Sequence, residues 1–570
     1  MDKTIDAVDE GELKSFGPIA LEPVASTERI VALDVVRGFA LIGIFCMNVE
    51  FFNRSLAELG TGMPVGLTGI NWLASWFVAY FIAGKFWTIF SLLFGMGFAV
   101  MLTRAEANGR GFILPYLRRV AALALMGMLH HILIWPGDIL FSYALSAAGL
   151  LVLLFGRWQW ILLGLLALLG IGFFPDFKAA WQLAGSLAFV SVIAIFLRNE
   201  RVYSIGQLRL PLLSSMNAVL GILLGIVAVV SWFIPQMKDG RIPLSIMGPV
   251  TLLVAFLIAK YHQPAQARTW RAGVSIYVFA MSSMIIFGAV EYFRPAPAVV
   301  VAPAVASVAA VTVKPANQAS VKKIEKTDAE KTAEQQAERA KRIKERKEKI
   351  QTDIKVLTQG SYSQAVTERA KDFVENAPRE IGFTTIVIAM FLIGVWFVRS
   401  GVIANISANL TLFRRLALFG IPLGVGMGLL GSAISTHHIL GQDKDGFILA
   451  NGLLNLGNLP ACLGYVSVVI LMLHSAGGFA KIRVLAPFGR MALTNYLSQS
   501  VLASMFFYGY GLGHWGMGRA LQLVFVAAVV IVQVALSHWW LARFRFGPME
   551  WLWRAVTYWN LPPMRIMPER

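Results

Sequence analysis

Charged residues are scarce in this sequence. They make up 14% of its 570 residues, against 57% hydrophobic ones, where a soluble domain carries about 25% and about 45–50% respectively. Stripping away so much charge is compatible with folding only if lipid replaces water over most of the surface, which excludes a soluble globular enzyme and a disordered chain alike. Cysteine is nearly absent as well. Cys46 and Cys462 each lie in an apolar run and read as small buried hydrophobes, not as a disulfide or a metal site. A phosphate-binding Walker loop, a dinucleotide-binding glycine fingerprint, an HExxH pair and a CxxC pair are all missing. The first 28 residues are polar and rather acidic, with no apolar centre and no small-residue cleavage site, so the apolar run from Ile30 reads as an uncleaved anchor.

What is present is a series of long apolar runs. A hydrocarbon core about 30 Å thick needs about 20 apolar residues per helix. Candidate spans fall at 30–50, 84–103, 119–135, 139–155, 158–174, 180–197, 210–234, 244–260, 271–292, 381–399, 413–435, 447–473, 486–508 and 520–541. Several are short, so the expectation is an all-α, polytopic transmembrane bundle of about 10–14 spans. The formal charge of +18 comes from 50 Lys and Arg against 32 Asp and Glu. In such a chain it marks cytoplasmic loops and contact with anionic lipid, not nucleic acid. Basic clusters around Arg104–Arg119, Arg198–Arg209, Lys260–Arg271, Arg399–Arg415, Lys481–Arg490 and Arg543–Arg554 follow alternate spans, which predicts two cytoplasmic termini. The Trp- and Phe-rich stretch 71–83 reads as a helix on the outer interface.

One segment is not membrane. From Arg294 the chain turns Pro/Ala/Val-rich, an extended linker, and from Val321 to Lys355 it is dense in Lys, Glu, Arg, Ala and Gln, which predicts a lone solvated helix. By parity this insert lies outside. The chain therefore divides into a polar tail (1–28), an N-terminal transmembrane core (29–156), additional spans (157–293), the linker and charged insert (294–380), and a C-terminal transmembrane domain with an amphipathic tail (381–570).

Ionisable residues inside spans cost about 2.5–3.5 kcal/mol each and mark candidate sites by default. Asp34 and Arg37 stand three residues apart on one helix face and can pair; Asn48 follows near the other end of that helix. His130 and His131 precede a Pro-Gly turn, with Asp138 and Tyr143 just beyond it. A histidine beside a carboxylate is suited to general base work, because the carboxylate fixes the tautomer and supports the imidazolium. Arg490, Asn495, Tyr496 and Gln499 form a polar stripe on a late span. Glu550 lies among the aromatics of the tail, four residues before Arg554, with Trp551, Trp553 and Tyr558 as interfacial anchors. Gly420, Gly424 and Gly428, four apart, permit close helix packing. His437 and His438 share a loop with Asp443 and Asp445, a weak hint of metal; no metal is assigned.

The segments LDVVRGFALIGIFCMN, GKFWTIFSLLFGMG, GMLHHILIWPGDILFSYAL, QGSYSQAVTER, GRMALTNYLSQS and WLARFRFGPMEWLWRAVTYW resemble the characteristic blocks of the YeiB-like bacterial membrane proteins, a family built on a domain of unknown function (418). The resemblance runs almost end to end from about Gln359 and is poor over 157–358. The first block is also similar to those of two groups of transmembrane acyltransferases, the acyltransferase-three family and the heparan glucosaminide acetyltransferases. In the former, the D-x-x-R pair is followed by a histidine where this chain has Asn48, so the base role passes to His130. The resemblance implies an acyltransferase with acyl-CoA as co-substrate and no covalently bound cofactor. Its candidate residues are His130, Asp138 and Asp34 for catalysis, with Arg37, Asn48, Lys85, Arg118, Arg119, Tyr143, Arg490, Asn495, Tyr496, Gln499 and Glu550 for donor or acceptor. The acceptor would be a small molecule, glycan or lipid at the outer face, and a homodimer is conceivable. The alternative is a transporter of a small solute or lipid in which His130 and Asp138 relay a proton.

Overall fold

The structure, a computed structural model, describes residues 30–109, 111–174, 179–205, 208–234, 237, 241–294, 328–376, 380–442 and 444–566. The polar tail 1–28, the linker residues 295–327 and Asp443 lie outside these residues. In chain order the helices are α1 (Val31–Phe52), α2 (Gly69–Phe77), α3 (Lys85–Ala107), α4 (Ile113–Leu133), α5 (Leu140–Phe155), α6 (Trp158–Gly172) and α7 (Ala179–Arg198). A two-stranded antiparallel ribbon follows, β1 (Val202–Ile205) and β2 (Leu208–Pro211), with Val202 opposite Pro211. Then come α8 (Leu212–Ser231), α9 (Arg241–Tyr261), α10 (Arg268–Phe293), α11 (Asp328–Gln359) and α12 (Tyr362–Asn376). The chain continues through α13 (Glu380–Arg399), α14 (Leu410–Ile434), α15 (Phe447–Leu473), α16 (Leu485–Arg490), α17 (Ala492–Phe507), α18 (Arg519–Leu541) and α19 (Pro548–Tyr558).

This is an all-α polytopic bundle and an integral membrane protein. Among the described residues, nine helical stretches are long and apolar enough to cross a membrane, and three shorter apolar helices accompany them. Each expected span coincides with a helix, with one interruption. The span 486–508 breaks at Met491, between α16 and α17.

The core is built around α1 and α3, with α13 and α15 against them. Val35, Val36, Ala40, Leu41 and Val49 of α1 are fully buried, as are Ile89 and Leu92 of α3 and Phe391 and Leu392 of α13. Glycine sets the tightest contacts, because lipid supplies no hydrophobic drive between helices and close backbone approach must provide the packing instead. Side chains at Gly420, Gly424 or Gly431 of α14 would collide with the α15 backbone at Pro460, Gly457 and Ala450. Of the spaced trio noted in the sequence, Gly420 and Gly424 make this contact, while Gly428 faces Leu454 and Tyr80.

Two regions depart from expectation. The Trp-rich stretch is α2 continued by a π-helical turn, Val78–Ile82, and it ends at Gly84, whose φ of +81° lets the chain re-enter a helix at Lys85. A side chain at Gly84 would also strike Asn458. The charged insert is not a lone helix, because α11 turns back into α12 and the pair lies across the end of the bundle where α1 and α4 finish. Arg346 donates to the carbonyls of Ala57 (2.9 Å) and Leu59 (3.1 Å). Ser55 donates to Asp353 at 2.6 Å, and Gly509 N–H donates to Leu357 at 2.8 Å. Lys349 bridges Asp353 (3.1 Å) and Asp372 (2.8 Å). Burial works against the Lys349 ammonium, but its bonds to the two aspartates outweigh burial and raise its pKa above the lysine range. Burial raises the Asp372 carboxyl despite that partner.

Candidate functional site

The His130–Asp138 pair expected across the Pro-Gly turn is formed. His130 Nδ1 lies 2.9 Å from Asp138 Oδ1, and the other carboxylate oxygen accepts the Phe141 N–H at 2.9 Å, at the start of α5. Both side chains are almost completely inaccessible, at 1% and 0% exposure. A neutral imidazole donating from Nδ1 presents its lone pair at Nε2, and Nε2 is buried with no partner among the described residues. The His130 ring stands 5.3 Å from that of Tyr496. Tyr143, fully buried, donates its hydroxyl to the Trp87 carbonyl (3.0 Å) and accepts from Ser91 (3.2 Å).

Two cavities approach this pair from opposite ends of the bundle, and Ile44 and Ile139 line both. The first, about 200 Å³, is basic: Arg37, Arg119, Arg490 and Arg554 line it, and it reaches Tyr143 and Tyr496 at its inner end. Arg37 is paired with Asp34 at 2.7 Å, as their spacing predicts. The Arg119 guanidinium sits 4.0 Å above the Trp553 ring. Helix α19 closes this cavity through Glu550, Trp553 and Thr557, so the tail is a wall of the site as well as an aromatic anchor. Glu550 takes the N–H groups of Leu493 (2.7 Å) and Thr494 (3.1 Å) and the Thr494 hydroxyl (2.6 Å), thereby capping α17. Burial raises its carboxyl above the usual range against the pull of those bonds.

The second cavity, about 560 Å³, is acidic: Glu50, Asp138 and Glu380 line it with Asn48, and among the described residues no Lys, Arg or His does. Ser142 donates to Glu380. Along one wall Asn451, Asn455 and Asn458 form a ladder on α15, with Asn455 Nδ2 donating to Asn451 (3.1 Å) and Asn458 Nδ2 to Asn455 (3.2 Å). Asn458 is fully buried, and its Oδ1 has no partner among the described residues. Toward the α11 end this cavity adjoins a charged vestibule of about 590 Å³, sharing Glu50 and Met63 with it. Glu50 there is held by Arg54 (2.9 Å) and Arg519 (3.4 Å).

The remaining candidates divide. Asn48 faces the acidic cavity and Tyr496 the basic one. Arg118, one residue from Arg119, turns outward over Trp559 at 5.4 Å and lines neither cavity. Asn495 and Gln499 face α18: Asn495 donates to Ser537 (3.0 Å) and Gln499 to Gln533 (3.0 Å), a polar zipper between two helices. Lys85 is fully buried at the start of α3, where it donates to Ala83 at 3.3 Å. His438 pairs with Asp445 at 2.5 Å, beside the vestibule. Sequence reasoning missed Glu380, the asparagine ladder, the Glu50–Arg54–Arg519 group and Arg369. The last donates to the closing carbonyls of α4, Leu133 (3.1 Å) and Ile134.

Residues 397–560 match the model of a family described as a protein of unknown function (DUF418). Over 552 residues, 96% of this chain and 98% of the relative, the chain is 25% identical to the uncharacterized protein YxaH of Bacillus subtilis (strain 168). Over 535 residues, 93% and 96% of the two chains, it is 24% identical to the uncharacterized protein YeiB of Escherichia coli (strain K12). The near full-length similarity, with the family model over the C-terminal part, supports a YeiB-like DUF418 family. A shorter match, 37% over 135 residues, covers 24% of this chain and 36% of an uncharacterized 39.9 kDa protein in the amylase 3′ region of Bacillus acidopullulyticus. No solved structure matches the chain. Most of the described site lies outside the family model, on α1, α4 and α5. The near full-length relatives span those helices as well.

Proposed function

We propose that this YeiB-like protein is a membrane acyltransferase of the bacterial cytoplasmic membrane, with both termini in the cytoplasm. It takes an acyl group from acyl-CoA entering the basic cavity and delivers it to an acceptor held in the acidic one. The observation that carries this reading is the buried His130–Asp138 pair, whose Asp138 lines the acidic cavity and whose His130 ring stands 5.3 Å from Tyr496 on the wall of the basic one. Arginines suit a phosphate-bearing donor because the guanidinium fork matches phosphate oxygens. The basic cavity is small, so it receives the acyl-pantetheine arm with the diphosphate at its arginines, while the adenosine stays outside. His130 Nε2 takes the proton from the acceptor nucleophile as that atom bonds to the acyl carbon. The carbon–sulfur bond breaks and the proton passes on to the departing CoA thiolate. Asp138 holds the ring and supports the imidazolium.

The test is CoA release from acetyl-CoA by the purified protein in lipid nanodiscs, with and without a mixed acceptor extract, for wild type and His130→Gln. Acceptor-dependent CoA release that survives His130→Gln in a normally folded protein would sink the assignment of the base. A second reading rests on the same two cavities, since a pair that shares Ile44 and Ile139 in its walls also suits a carrier that opens to one side at a time. Solute uptake into proteoliposomes without any acyl-CoA requirement would favour that reading.

A further inference from the structure

The acidic cavity holds a charge that, among the described residues, no cation on its lining balances. Of its three carboxylates, Glu50 is held by Arg54 and Arg519, and Asp138 is committed to His130 and the start of α5. Glu380 receives a hydroxyl from Ser142, and no cationic side chain among the described residues lines the cavity it faces. A carboxylate withdrawn from water without a cation is costly, and it is retained where a cation arrives from elsewhere. The walls supply what an ammonium group favours next to a carboxylate. Trp87 and Phe383, whose rings pack 5.0 Å apart, line the same cavity as Glu380, together with Tyr80 and Trp135. Aromatic faces attract cations most strongly where water is excluded.

A second observation is independent of charge. Asn458 is fully buried and lines the same cavity with an unpartnered amide oxygen, at the end of the Asn451–Asn455–Asn458 ladder. A buried acceptor left open in this way calls for a donor. A ligand carrying hydroxyl or amide N–H groups on the far side of its ammonium would supply one. We infer that the acidic cavity binds a small organic amine bearing several hydroxyl or amide groups, its ammonium at Glu380 and its donors at the asparagine ladder. The inference rests on the acyl-transfer reading only in calling this ligand the acceptor; as a binding site it stands apart from it.

A matched series of probes tests this: glucamine (cationic), sorbitol (uncharged) and gluconate (anionic), which share one polyhydroxyl chain. Binding to the purified full-length protein in nanodiscs is read by the shift in unfolding midpoint and by equilibrium binding of radiolabelled probe. The expected order is glucamine first, sorbitol at least tenfold weaker, and gluconate without effect. Glu380→Gln should weaken glucamine tenfold or more while leaving sorbitol unchanged, and Asn458→Ala should weaken both. Gluconate binding as well as glucamine, or no saturable binding of any probe, overturns the inference, and so does a Glu380→Gln protein that holds glucamine as tightly as wild type. If that variant does not fold, the wild-type ranking of the three probes decides. CoA binding is measured in parallel: glucamine bound with no CoA bound would end the acyl-transfer reading and leave the amine site standing.

Discussion

The basic and the acidic cavity share helices yet differ in the sign of the charge that predominates on their walls. Helix α1 carries Arg37 toward one end and Asn48 and Glu50 toward the other, roughly 16 Å apart at 1.5 Å per residue over the 11 residues from Arg37 to Asn48. The α4–α5 turn then brings Asp138 to the acidic side, while Tyr143, on the next helix, reaches the basic one. The two sides also stabilise their charges differently. On the basic side each arginine is shared with an aromatic ring, a backbone oxygen or a carboxylate, as Arg119 is with Trp553 and Arg37 with Asp34. On the acidic side Glu380 receives the Ser142 hydroxyl and, among the described residues, shares its cavity with no cationic side chain. In the proposed reaction, sorting ionisable groups along the helices keeps an anionic donor and a cationic acceptor apart, with the His130–Asp138 pair at the seam between them.

The largest effect expected of any single change falls at that seam. His130→Ala should lower acyl transfer by about 10²–10⁴-fold, the range for loss of a general base, in a protein whose cooperative melting shows that it still folds. Full transfer in that variant would reduce the convergence of the cavities to coincidence. The next effect separates the two sides. Arg119→Glu should weaken CoA binding by at least about tenfold, equal to about 1.4 kcal/mol, and leave amine binding at Glu380 unchanged. Calorimetric titration with CoA and with glucamine reads both arms, and a parallel loss of the two ligands would contradict separate sites.

Much of this was legible in the sequence. The spans could be read because lipid imposes a length and a composition on every crossing helix. The Asp34–Arg37 and His130–Asp138 pairs could be read because each is local, three and eight residues apart. What could not be read depends on which way a helix faces. Arg118 and Arg119 are neighbours in sequence, and only the second turns into the bundle. Asn495 and Gln499 look like a site stripe, yet α18 offers Ser537 and Gln533 to receive them. Glu380 opens α13 and passes for a flanking charge. Asn451, Asn455 and Asn458 did carry a signal, a polar stripe at helical spacing inside a crossing helix.

The hairpin of α11 and α12 offers the same contrast on a smaller scale, because one of its cations is buried and another half-exposed. Arg369 is 3% exposed and closes α4, the helix that bears His130, while Phe373 packs on His131 at 5.2 Å. Hydrogen bonds from a charged donor contribute about 1.5–3 kcal/mol each. Arg369→Met should therefore cost several kcal/mol and expose the hairpin to limited proteolysis. If it leaves both melting and proteolysis untouched, the hairpin is not a clamp on the His130 helix.

Lys349→Met should do far less. The Lys349 side chain is 31% exposed, and the shifts of the pair partly cancel: the ammonium gains from Asp372 and Asp353, while the Asp372 carboxyl is burdened by burial. An ion pair of this exposure contributes about 0–1 kcal/mol. Because the lysine is raised above its unfolded value, its contribution is fully present below pH about 10.4 and is lost only as pH rises through the still higher folded value. Hydrogen exchange in α11 and α12 should thus be nearly the same for wild type and Lys349→Met in 1 M salt, where the pair is screened. It should differ modestly at low salt and neutral pH, and converge again in strong alkali. A Lys349→Met effect as large as that of Arg369→Met, or one that persists in alkali, would mean that the exposed face of the hairpin and not its buried arginine holds it to the bundle.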